Sequence, residues 1–136
     1  MNCIFCKIAA KDIPSEIIYE DGEAVAFLDI HPRSPGHAVV VPKAHAETIL
    51  DLTDVATAKF FEAVRKTTKL VRTGLVPDGF TLGINHGKVA GQEVEHLHFH
   101  VIPRYENDGG TSLQSVVNNQ STKSLKEIAD EIRKKA

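Results

Sequence analysis

The segment His96-Leu97-His98-Phe99-His100-Val101-Ile102 alternates imidazole with apolar side chains. That alternation has the period of a β-strand, in which successive side chains point to opposite faces. The three histidines then share a face, with neighbouring rings roughly 6.5 Å apart along the chain. Leu97, Phe99 and Val101 take the opposite face and need a covering layer. Any fold of this chain must bury one side of the strand and leave the other for polar chemistry.

A covering helix is available. Over 53–73 the apolar period lengthens to that of a helix, with Ala56, Phe60, Ala63, Val64, Thr67, Leu70 and Val71 on one stripe. Thr53 is placed to cap its start and Gly74 to end it. Upstream, Ile17–Glu20 and 24–30 flank Asp21-Gly22, a strong hairpin signal. Residues 37–42 (HAVVVP), 80–85 and 95–103 read as three more strands. The polar segment 106–123, with Gly109-Gly110 and Asn118-Asn119, reads as a loop. A short last helix starts at Ser124, where Ser124 and Glu127 form a capping box and Leu125, Ile128, Ala129 and Ile132 make an apolar face. The expected fold is therefore α+β: an antiparallel five-stranded sheet with one long helix and a short C-terminal one, its strand order left open by the pattern. The 136 residues suit a single domain, 1–136, with 106–136 as its C-terminal loop and helix. A chain of this size buries roughly 70% of the surface it exposes when unfolded, so it needs no disulfide staple.

The formal charge of −2 argues against a general nucleic-acid binder. No apolar run approaches the roughly 20 residues of a membrane span. The start lacks the basic-then-apolar layout of a secretory signal, so a cytoplasmic protein without membrane partners is expected. In that setting Cys3 and Cys6 read as thiols or metal ligands.

Three readings fit the histidine face. It could be a polar surface, a catalytic zinc site using all three rings, or a nucleophilic histidine with partners. Same-face neighbours fan along a strand and converge poorly on one ion, which counts against the second. Neutral imidazole is a good nucleophile near neutral pH, provided its other nitrogen keeps a proton and finds an acceptor for it. Attack on phosphorus would give a phosphohistidine that water then cleaves. Just upstream, Asn85-His86-Gly87-Lys88-Val89-Ala90-Gly91-Gln92-Glu93 offers two glycines and exposed N–H groups suited to an anion. Cys3-x-x-Cys6 supplies half of a tetrahedral zinc site, with plain buried thiols as the alternative. His31 and His86 read as surface loop histidines, and Arg104 as a solvated strand-end charge.

The segment from His96 to Ile102 resembles the mark of the histidine-triad (HIT) family, His-φ-His-φ-His-φ-φ with φ apolar. The resemblance continues in Phe27-Leu28-Asp29-Ile30, Pro35-Gly36-His37, Val41-Pro42-Lys43-x-His45, Asn85 and Gly91-Gln92. It implies a five-stranded antiparallel sheet paired in a homodimer into ten strands, and purine nucleoside monophosphate binding. By position it makes His98 the nucleophile, His100 the histidine that contacts the phosphate, and His37 a support from the next strand. Asp29 would take the ribose hydroxyls, Phe27 and Ile30 the base, and Asn85, Gly91, Gln92 and Glu93 the phosphate and leaving group. Many members with phosphoramidate activity carry Ser where this chain has Glu93, which leaves the leaving group open.

Similarity to the bacterial Hint/HIT-like branch, and more distantly to galactose-1-phosphate uridylyltransferases, implies one structural zinc per chain on Cys3, Cys6, His45 and His96. The resemblance thus implies a nucleotide hydrolase that cleaves phosphoramidates at the α-phosphate and needs no catalytic cofactor. A dinucleoside polyphosphate hydrolase and a non-catalytic nucleotide-binding module are the alternatives.

Overall fold

The computed structural model describes residues 2–136. Its elements run α1 (Ile4–Ala9), β1 (Ile17–Glu20), β2 (Ala24–Leu28), β3 (Ala38–Pro42), α2 (Asp54–Leu75), β4 (Gly79–Gly83), β5 (Phe99–Arg104) and α3 (Leu125–Lys134), with single 3₁₀ turns at Ile49–Asp51, Lys88–Ala90 and Leu113–Val116. The strands form one antiparallel sheet in the order β1-β2-β3-β5-β4. The α+β architecture expected from the alternation is the one observed.

The two faces have different jobs. Ala24, Ala26, Ala38, Val40, Leu97, Phe99 and Val101 meet Phe60, Ala63 and Val64 of α2 in one buried cluster. The three alanines leave room for the helix, and burying Phe60 contributes about 2–3 kcal/mol. On the other face Val25, Phe27, Val39 and Val41 are covered by Ile8 of α1 together with Phe5, whose ring reaches His98, while His100, Ile102 and Arg104 beyond it are only half-buried.

Several local expectations change. The Asp21-Gly22 hairpin forms, but Gly22 does not take a left-handed conformation. Asp21 Oδ1 instead accepts from the N–H groups of Glu23 (2.7 Å) and Ala24 (2.8 Å), closing a longer turn. The last strand begins at Phe99 rather than at residue 95, because ladder pairing stops at Phe99 and His100. Residues 96–98 are held otherwise: Leu97 N–H donates to the Ala46 carbonyl at 2.7 Å. The strand expected at 80–85 runs Gly79–Gly83. Helix α1, too short to show a period, escapes the sequence pattern. Helix α3 has its capping box, yet Leu125 and Ile132 are exposed.

Helix α2 passes through Gly74 and ends at Leu75, capped by Val76, which adopts a left-handed conformation (φ 49°) before Pro77. A β-branched residue is strained there, and its side chain is exposed. Val76→Gly is therefore expected to raise stability by about 1 kcal/mol, and denaturant unfolding of the two proteins checks it.

Gly36 (φ +90°) admits no side chain. A Cβ there would lie 2.4 Å from Leu75 Cδ1, so the glycine lets the loop tuck against the end of α2 and deliver His37 to the sheet.

Candidate functional site: a metal cluster and a wired histidine pair

Four ligand atoms from distant parts of the chain converge at one end of β5. Cys3 precedes α1, Cys6 lies within it, His45 follows β3, and the fully buried His96 precedes β5. Their ligand atoms all lie within 4.8 Å of one another. Cys3 Sγ is 3.3 Å and Cys6 Sγ 3.5 Å from His96 Nδ1, and Cys6 Sγ is 3.4 Å from His45 Nδ1. A tetrahedral zinc with ordinary bond lengths sets its sulfur and nitrogen ligands about 3.6 Å apart. Donor types and spacing both fit such an ion. Burial raises the Cys6 thiol pKa, as do the hydrogen bond and charge of Cys3. Two adjacent thiolates thus call for a cation between them.

Backbone partners fix the tautomers, since a carbonyl can only accept and an amide N–H can only donate. His96 Nε2 lies 2.9 Å from the Pro42 carbonyl and so carries the proton, which turns the bare Nδ1 toward the thiols. His98 Nδ1 lies 2.7 Å from the His96 carbonyl and carries its proton, leaving Nε2 with a free lone pair. Arg33 N–H donates to His37 Nδ1 at 3.1 Å, so the neutral His37 ring is protonated on Nε2. That proton meets His100 Nδ1 at 3.0 Å, and His100 therefore carries its own on Nε2. Asp29 Oδ2 stands 3.6 Å from His37 Nε2 and biases the pair. The His98 and His100 rings are 5.1 Å apart, edge to face. The result is a bare nucleophilic nitrogen beside a neutral N–H donor, an arrangement suited to attack on a phosphate.

A family model for the HIT domain matches residues 10–107. The chain belongs to the HIT family. A HIT-like protein of Methanocaldococcus jannaschii is 46% identical over 131 residues, covering 96% of this chain and 98% of that one. A Schizosaccharomyces pombe protein named adenosine 5′-monophosphoramidase is 38% identical over 135 residues, covering 99% and 98%. The crystal structure of a HIT-family member from Bacillus subtilis matches with a TM-score of 0.89 at 39% identity, covering 100% of this chain and 98% of that one.

In this HIT protein the remaining expected residues are placed unevenly. Asp29 sits at the site, its Oδ1 accepting from His31 N–H at 2.9 Å. Phe27 is buried with its ring 5.6 Å from that of Phe5, while Ile30 is exposed at the rim. Gly87 and Gly91 both take positive φ, and Asn85 stacks its amide near Gly91. The Gln92 amide is fully engaged in bracing this loop: it accepts from Gly87 N–H (2.9 Å) and donates to the carbonyls of Glu47 (2.8 Å) and Val94 (3.1 Å). Glu93 is exposed, as are His31 and His86. Arg104 is not a solvated charge. It forms a bidentate pair with Asp108 (2.7 and 3.0 Å) and donates to Thr81 Oγ1 and the Thr111 carbonyl, pinning the start of the C-terminal segment.

Phe5 was not anticipated from the sequence. Its ring lies edge-on to His98 (5.0 Å) and His96 (5.9 Å), packing His98 on the side toward the Cys3–Cys6–His45–His96 cluster. The only signal for it is its place between Cys3 and Cys6.

Burial pushes the His100 pKa down to about 4, and the neighbouring His98 and His37 add to this against Asp29. Burial lowers that of His37 too, with Asp29 opposing and Arg33 assisting. In the unfolded chain these rings take protons near pH 6.5. Between that pH and about 4 the unfolded state binds more protons, so stability falls as pH falls through this window. For His100 the loss is roughly 2 kcal/mol after allowance for partial exposure. Thermal unfolding from pH 7 to 4.5 should therefore decline less steeply for His100→Asn than for the wild type, and equal slopes would refute the assignment.

Proposed function

We propose that this chain hydrolyses purine nucleoside 5′-phosphoramidates and related nucleotidyl conjugates, releasing the nucleoside monophosphate. The observation that carries the reading is the His98 hydrogen bond to the His96 carbonyl, which leaves Nε2 unprotonated. The relative named adenosine 5′-monophosphoramidase supports the reaction class.

In the first step His98 Nε2 forms a bond to the α-phosphorus as the phosphorus–leaving-group bond breaks, and the departing nitrogen takes a proton at the solvent-open rim. His100 donates its Nε2–H to a phosphate oxygen. A neutral imidazole N–H is too weak an acid to be transferred, so it stabilises charge without moving. The N–H groups of Glu93 and Val94, unbonded among the described residues, add donors from the loop. Water then cleaves the phosphohistidine and restores His98. His37 holds the His100 ring, and Asp29 takes the ribose hydroxyls, with Phe27 and Ile30 on the base side. Asn85, Gly91, Gln92 and Glu93 shape the phosphate end, Gln92 by holding the loop.

A zinc ion on Cys3, Cys6, His45 and His96 would be structural, binding α1 and the strand approach into one unit. Chemistry at phosphorus uses no further cofactor in this scheme. We also assign the chain one domain, a homodimeric state and the cytoplasm, where thiol ligands stay reduced. No helix among the described residues is long and apolar enough to cross a membrane.

The test is AMP release from adenosine 5′-phosphoramidate against release from diadenosine tri- and tetraphosphate. A kcat/KM at least tenfold higher on the phosphoramidate is expected. The reverse order would move the reading to polyphosphate hydrolysis, and AMP binding without turnover of any of them would leave a binding module.

A further inference from the structure

The side chains of β5 that face the site continue past the histidines. After His98 and His100 come Ile102 and Arg104, each step roughly 6.5 Å. Ala38 pairs with Val101, so Ile102 stands beside His37 in the next strand. At this point the surface opens into a cavity of about 270 Å³. Arg33 and Ser34, from the loop that delivers His37, form one wall. Ile102 and Arg104 of β5 line it too, as do Asp108 and the apolar Leu113 and Val116 of the C-terminal segment.

The polar groups of this cavity are unequally satisfied. Arg104 is neutralised by Asp108. The Arg33 guanidinium makes no ion pair or hydrogen bond among the described residues. Ser34 Oγ is buried without a partner. The cavity therefore combines one uncompensated positive charge and an apolar side, a single strand step beyond the histidine that would hold the phosphate.

We propose that this cavity receives the leaving group, and that it selects leaving groups carrying a negative charge beyond a short apolar stem. The inference rests on the hydrolase reading for its chemistry, but concerns a different set of residues. The charged end meets Arg33, and the stem lies on Ile102, Leu113 and Val116. A stem of four methylenes spans about 6 Å from the scissile nitrogen to the acid, matching the step from His100 to Ile102.

The test uses adenosine 5′-phosphoramidates whose amine is N-(4-carboxybutyl), its neutral isostere N-(4-carbamoylbutyl), or N-(4-phosphonobutyl). For the wild type, kcat/KM for the carboxylate is expected to exceed that for the carboxamide about fivefold, mostly through KM, and the margin should shrink with added salt. In Arg33→Gln the two should become equal. This variant removes an exposed guanidinium and keeps the backbone N–H that binds His37. A larger margin for phosphonate than for carboxylate assigns the cavity to phosphorylated leaving groups, the opposite order to carboxylic acids, and either supports the proposal. Equal rates on charged and neutral probes in the wild type, or a preference undiminished in Arg33→Gln, would overturn it. If no probe is cleaved, calorimetric affinities carry the same comparison, so loss of the hydrolase reading is distinguishable from loss of this one.

Discussion

His98→Ala should release no AMP from adenosine 5′-phosphoramidate, with kcat reduced on the order of 10⁴-fold or more. The size follows from the geometry, because no other imidazole can take over. His96 turns its bare nitrogen toward the thiols and His37 has its bare nitrogen on the Arg33 amide. His100 has its own committed to His37. Alanine at 98 also loses the covalent route, so an acid-labile, alkali-stable nucleotidyl-protein should be trapped in wild type alone. His100→Ala, which removes a donor and keeps the nucleophile, should cost a smaller factor of about 10²–10³. A His98→Ala protein retaining a tenth of the wild-type rate would mean that water attacks phosphorus directly.

The second large effect belongs to the cysteines. Wild-type protein is expected to contain about one zinc per chain by elemental analysis, and the Cys3→Ser, Cys6→Ser double variant almost none. Stability should fall on the order of 5 kcal/mol, because α1 is only six residues long and cannot stand without its anchor. Freed from the sheet, α1 takes Phe5 from beside His98 and uncovers Phe27 and Val39. Denaturant titration with and without a chelator measures the loss. A metal-free wild type with an unchanged unfolding midpoint would remove the zinc from the account.

The sequence made some of this plain and hid the rest for identifiable reasons. The histidine strand and α2 were legible because each is long enough to repeat its period: Leu97, Phe99 and Val101 do meet Phe60, Ala63 and Val64. The convergence of Cys3, Cys6, His45 and His96 followed from resemblance, not from any local pattern, since the contacts span up to 93 residues. The end of α2 was misplaced because Gly74 looked like a stop, while tertiary contact of Leu75 with the Gly36 turn carries the helix onward. Phe5 and the engaged amide of Gln92 depend on the final packing, and no spacing in the chain announces them. The order of the strands was equally silent, because the Ala38–Val101 pairing crosses over the whole of α2 and β4.

The groups that set the proton positions are all main-chain: the carbonyls of His96 and Pro42 and the amide of Arg33. Peptide groups survive every coded substitution, except that proline lacks the amide hydrogen. Substitutions at residues 33, 42 and 96 can therefore alter rim charge or the Cys/His cluster while His98 keeps the same tautomer. Only Arg33→Pro deletes one of the three anchors outright, and it does so at the support rather than at His98. The protonation pattern of these histidines is thus carried by the backbone trace rather than by the side chains around them.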